Sequence, residues 1–387
     1  MRRTKTVFLI LIVFEILFIA SFDSKSLCRA ENHVECTINV DKRMELLSAV
    51  QILTSWRDTG IWRENYTYKQ DMLDYFTPYS NLTAVVMCEE LIEQDFSFDA
   101  PVNLMLHLSD PPELDIVVPF SDYLVSRAGN DTILEDFVRA LREFYTVTNF
   151  ENFWQSHLSF YSDVEERAST DIDLLGTVQK LENYFGTQQH GYHVVLAPVF
   201  LGSYGPRVKV NGSLDVYSVL SPIRTTGDFP VFGAALFHEF AHSFVNPVTE
   251  EFRGEFIGPE KLYEPIATEM NSLEYDDWET MINEHLLRAI EVIVYNQTIE
   301  ITYHEQLGFI YIRPLISFLS EYDSSNETFR EFYPQIVDFF NELATQQKPF
   351  YETPLGMAII SAAIVVTIIS IYMLLRIRKK APVTSQK

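Results

Sequence analysis

Two of the nine histidines in this 387-residue chain, His238 and His242, stand four positions apart in the run Phe237-His238-Glu239-Phe240-Ala241-His242. On a helix that spacing puts both imidazoles on one face, one turn apart, where they can reach a single ion. Glu239 follows the first histidine directly and can turn its carboxylate toward a water on that ion. The chemistry such a set performs is hydrolysis, with the metal acidifying a water and the carboxylate taking its proton. The structural alternative is a pair of core histidines satisfied by backbone carbonyls. It is the weaker reading, because buried ionisable groups without partners are costly.

The surroundings supply the helix. Val231, Ala234, Ala235, Phe237, Ala241, Phe244 and Val245 make the run largely apolar, Asp228 and Pro230 stand before it, and Pro247 reads as its end. An open zinc site takes three protein ligands and a water. The residues after His242 are Ser243-Phe244-Val245-Asn246-Pro247, which include no His, Glu or Asp. The third ligand is therefore expected on a later helix, from Glu269 or Glu284. Glu284 is favoured, because it lies in a clear helical run with Arg288 one turn on, placed to brace a ligating carboxylate.

His238-Glu239-Phe240-Ala241-His242 is an HExxH pattern. With the later Asn283-Glu284 it resembles the gluzincin branch of the zincin metallopeptidases, and it is similar to uncharacterised HExxH families known only as domains of unknown function. The resemblance covers about residues 190–295, and five residues of it are sharply specific. It implies Zn2+ held by His238, His242 and Glu284, Glu239 as general base, and a peptide or protein as substrate. The chain departs from the pattern in an extra helical run from Pro259 to Tyr275, which keeps Glu269 in contention. His285 and Tyr263 are the candidates to stabilise the oxyanion. Two rival functions stand beside the peptidase: a receptor-like or structural ectodomain that keeps zinc without catalysis, and a zinc hydrolase of a non-peptide bond. Glu239 favours an enzyme, since a structural zinc site has no use for a base beside an open position.

The rest of the chain must position and deliver this site. Arg2, Arg3 and Lys5 precede an apolar run to Ala20, which reads as a signal peptide or N-terminal anchor over 1–21. Residues 355–375 form an uncharged apolar run of bilayer length, followed by Arg376, Arg378, Lys379 and Lys380. The expected topology is a single-pass protein of the cell membrane with its ectodomain outside and 376–387 as a cytoplasmic tail. Six Asn-x-Ser/Thr sequons (Asn65, Asn81, Asn130, Asn211, Asn296, Asn326) agree with export. A net charge of −25 rejects nucleic acid as a partner. Cys28, Cys36 and Cys88 allow at most one disulfide and lack metal spacing.

Helical periodicity marks Arg43 to Trp56, Asn81 to Glu93, Thr132 to Phe144, Phe150 to Tyr161 and Asp171 to Phe185 within a helical part spanning 22–189. A strand pattern follows at Tyr192 to Pro198 and at Val208 to Leu220. It opens a zincin-like part over 190–353, in which His193 and Tyr204 could line a cleft. The expected fold class is α+β: a helix-rich zincin-like ectodomain with a small sheet beside the active-site helix, plus a C-terminal transmembrane helix.

Overall fold

The structure is a computed structural model that describes residues 35–346 apart from 211, 234, 324 and 326, together with 358, 361, 362, 366 and 367. It divides into two compact units, Met1–Phe244 and Val245–Lys387.

Among its described residues the first unit runs from β1 (Glu35–Val40) through nine α-helices: α1 (Lys42–Gln51), α2 (Thr67–Phe76), α3 (Thr83–Glu93), α4 (Asp99–Leu106), α5 (Asp122–Ala128), α6 (Asp131–Val147), α7 (Phe150–Ser156), α8 (Leu158–Asp171) and α9 (Leu174–Phe185). The strands β2 (Gly191–Leu196), β3 (Arg207–Val210), β4 (Ser213–Leu220), β5 (Arg224–Thr226) and β6 (Phe229–Val231) follow, and α10 (Leu236–Phe252) starts in this unit. The main sheet has the order β1-β2-β4-β3, with β1, β2 and β4 parallel and β3 antiparallel at the edge. Buried parallel strands read as continuous apolar runs, and Tyr192, Val194, Val195 and Leu196 of β2 are all buried. The face carrying Tyr192 receives α10, where the ring of Phe240 meets it edge-on at 5.5 Å. Phe244, one turn further, stacks on Phe185 of α9 at 4.6 Å. These contacts bury one stripe of α10 against sheet and helix. A second core of aromatic rings (Phe76, Phe144, Phe150, Phe153) joins α2, α6 and α7.

In the second unit α11 (Glu260–Tyr263), α12 (Ala267–Ser272), α13 (Trp278–Tyr295), α14 (Glu300–Gln306), α15 (Ile312–Asp323) and α16 (Phe329–Gln346) follow the last turns of α10. Asp277 caps α13 by accepting from the backbone of Glu279 and Thr280 at 2.7 and 2.9 Å, and Asn296 ends it in the left-handed conformation.

The helix-rich α+β class holds, and three expectations change. Pro247 does not end the motif helix; α10 continues through it to Phe252. Proline forfeits one hydrogen bond and crowds the carbonyl four residues back, but Phe244 and Val245 before it and Thr249 after it are buried and hold the helix through that turn. The strand expected from Val208 to Leu220 is a hairpin, broken between β3 and β4. The C-terminal transmembrane helix is the third correction: among the described residues no helix is long and apolar enough to cross a membrane. Crossing takes about 20 consecutive apolar residues, whereas the 18-residue helices α13 and α16 are interrupted by charged side chains such as Glu284, Arg288, Arg330 and Asp338. Of the stretch 355–375, the described residues are Ala358, Ser361, Ala362, Val366 and Thr367. The remainder of that stretch, the leader over 1–21, Cys28 and the tail over 376–387 lie outside the described residues.

Candidate metal centre

His238 and His242 occupy successive turns of α10, with ring centroids 4.9 Å apart and planes at 84°. Both are half-buried. Glu284 comes from the second turn of α13 and is buried, 4 % exposed. Each of the three offers one ligand atom, and these atoms all lie within 4.8 Å of one another. Zinc bonds nitrogen and oxygen at about 2.0–2.2 Å, so three donor atoms this close together could hold one ion. Two imidazoles and a carboxylate are the donor set of an open zinc site, and the residues fit the metal. Glu269, the other candidate, is exposed on α12 and is not a member of this group.

Glu284 is braced as its spacing from Arg288 implies. The Arg288 guanidinium donates to Glu284 Oε2 across one turn of α13, and both side chains are largely buried. Its Nη2 donates to the Tyr275 hydroxyl at 3.3 Å, and the guanidinium lies over the Phe309 ring at 4.2 Å. Burial works against the Arg288 charge, but Glu284 and Tyr275 outweigh it and the guanidinium is held above its ordinary pKa. A permanent cation thus faces the carboxylate, which favours the anionic form that binds metal. Burial, and next the charge of Glu284, push the Tyr275 hydroxyl above its usual range. Tyr275 is therefore a neutral hydroxyl beside Glu284. Sequence reading missed it; its position two residues before the α13 cap is the one local signal that could have drawn attention to it.

Glu239 lies within the motif turn of α10, 8 % exposed, and is outside the ligand group. The loop before β3 packs onto its backbone: a Cβ on Gly205 would sit 2.2 Å from the Glu239 carbonyl oxygen, so only glycine permits this approach. The neighbouring Tyr204 pairs with Val219 through its backbone. Its hydroxyl is pushed up by burial, then by the charges of Asp99 and Glu239.

The remaining candidates separate. His285 is fully buried, its Nδ1 3.0 Å or less from a carbonyl (2.8 Å to Met281 O), and its ring packs on Phe309 and Tyr311. Burial lowers its pKa to about 4. It is a neutral core histidine and is not presented to a substrate. The Tyr263 hydroxyl is committed to Asn271 Oδ1 at 2.7 Å and to the Tyr275 carbonyl at 3.2 Å. His193 Nδ1 is 3.0 Å from Thr37 Oγ1, and its ring stacks on Tyr217 across the β2–β4 pair. The structural role expected for His193 therefore suffices.

The family model that matches the chain, over residues 36–345, describes a domain of unknown function, DUF4932. No curated protein and no solved structure matches.

Proposed function

The chain belongs to the DUF4932 family, and from the convergence of His238, His242 and Glu284 we propose that it is a zinc-dependent hydrolase acting on peptide bonds. The observation that carries the reading is the placement of the three ligand atoms within 4.8 Å of one another, with Glu239 one residue from a ligand and outside the set. Zinc held by His238, His242 and Glu284 would acidify a water toward neutral pH and polarise a substrate carbonyl. The protein's own groups do the rest. Arg288 holds the Glu284 carboxylate in place and keeps positive charge beside it. Glu239 accepts the proton of the attacking water and returns it to the leaving amine. A peptide suits the surroundings, because β3 is a sheet edge whose preceding loop rests on the Glu239 backbone. An edge strand binds extended chain by backbone pairing.

The test separates proton transfer from coordination. Glu239→Gln should keep one zinc per chain and lose at least a hundredfold in cleavage of a mixed peptide library, the lower end of what general-base catalysis supplies (about 10²–10⁴-fold). Equal cleavage by both proteins would remove Glu239 from the mechanism. Zinc bound in both with cleavage by neither favours the second reading, a zinc-containing ectodomain without catalysis.

A further inference from the structure

The second unit contains a buried polar chain that ends one residue from Glu284. Thr249 Oγ1 lies 2.5 Å from Asn283 Oδ1 and 2.5 Å from the Tyr333 hydroxyl. Thr249 and Tyr333 are fully buried, and Asn283 is 6 % exposed. The amide oxygen can only accept, so the single Thr249 hydroxyl proton goes to Asn283 and the Tyr333 hydroxyl donates to Thr249. The Val245 carbonyl accepts from the same hydroxyl at 3.2 Å, the longer arm of a shared bond. The helix-internal bond that a threonine ordinarily makes is therefore joined by a shorter one to another helix.

Position along α10 gives this chain its meaning. Thr249 follows His242 by seven residues and His238 by eleven, so all three lie along one stripe of the helix. The same stripe thus carries both histidines at one end and the anchor for Asn283 at the other. Asn283 is the immediate neighbour of Glu284 on α13. Sliding α13 along α10 by one residue, about 1.5 Å, would break the Thr249–Asn283 bond and carry Glu284 away by the same amount. Tyr333 ties the anchor to α16 as well, and its ring packs on Phe252 of α10.

We propose that Thr249 is a positioning residue for the metal centre: through Asn283 it sets the register of α13, so that the Glu284 carboxylate meets the His238–His242 pair. The inference rests on the zinc reading of that cluster and extends it to a residue outside the motif. Outer partners of metal ligands commonly contribute about 10–100-fold in affinity, and that is the size expected here.

The experiment is a zinc affinity measurement by competition with a chelator, at a temperature where every protein is folded, paired with thermal melting of the metal-free forms. Thr249→Val keeps shape and removes the hydroxyl; it should weaken zinc by about 10–100-fold. Thr249→Ser restores the hydroxyl and should recover affinity to within a few-fold of wild type. Should Thr249→Val fail to fold, Tyr333→Phe removes the outer donor alone and should weaken zinc in the same direction. Lower melting temperatures with zinc affinity unchanged, or a serine variant as weak as the valine one, would overturn the positioning role. A wild-type protein that binds no zinc would instead remove the metal reading itself, a result distinct from wild-type binding with the variants unaffected.

Discussion

Removing either imidazole, as in His238→Ala or His242→Ala, should abolish stoichiometric zinc, since two protein ligands hold an open site poorly. Metal analysis of the purified variants reads this directly, and one zinc per chain in either would reassign the ligands. The paired test at the third position is Glu284→Ala against Glu269→Ala. The first should strip the site and leave Arg288 facing no carboxylate, while the second should leave zinc intact, because Glu269 is exposed and outside the cluster. The reverse outcome would move the site to α12. At this scale the motif was legible because its geometry is local: three side chains on one helix, His238, Glu239 and His242, decide it. Glu284 was legible through Arg288, again one turn away on the same helix. Tyr275 and Thr249 were not, since what defines them is a partner far along the chain or around a turn. Thr249 meets Asn283 across 34 positions and Tyr333 across 84, and no periodicity encodes such a meeting.

The elements that carry these residues obey ordinary packing rules, and α10 is the one on which the site depends most. Phe240 sits between His238 and His242 in sequence but faces the sheet, fully buried against Tyr192. Phe240→Ala should cost about 3–5 kcal/mol of unfolding free energy, the usual range for a buried phenylalanine, read from denaturant midpoints of the metal-free protein. A change under 1 kcal/mol would mean that α10 is not held by this contact. Asp277→Ala removes the cap of α13 and should cost about 0.5–2 kcal/mol, far less than the core deletion. Amphipathic helices such as α6 and α9 were legible from their apolar stripe. The helix past Pro247 was not, because burial of Phe244 and Val245 overrides the local preference of a proline. β1 was missed as well: Glu35-Cys36-Thr37-Ile38-Asn39-Val40 has a mixed polarity that becomes a strand only by pairing with β2, 156 positions away at Thr37 and His193. The hairpin of β5 and β6 hides behind Pro230, which an edge strand tolerates.

Across the whole molecule the chain is strongly acidic, with a net charge of −25, and one carboxyl within it is withdrawn from solvent altogether. Glu45 on α1 is fully buried, accepts from the Tyr68 hydroxyl, and has Oε1 without a partner; Tyr68 in turn lies 2.9 Å from the Tyr161 hydroxyl. Burial raises its pKa from 4.5 to about 8, the Tyr68 hydrogen bond working against the shift and Asp41 adding to it. A raised carboxyl pKa means that the folded state binds a proton which the unfolded chain has released. Its contribution to stability is therefore complete below about pH 4.5 and is lost as pH rises to about 8, with a slope of at most about 1.4 kcal/mol per pH unit. Rising self-repulsion of an acidic chain also lowers stability with pH, so the wild-type curve alone decides nothing. Glu45→Gln keeps the shape and the acceptor while removing the titration, and every other group cancels in the difference between the two proteins. Plotted against pH, the unfolding free energy of wild type minus that of Glu45→Gln should fall between about pH 4.5 and 8 and flatten above it. Parallel curves across that window would show that Glu45 does not hold its proton in the folded protein, and that water reaches the carboxyl between Tyr68 and Tyr161.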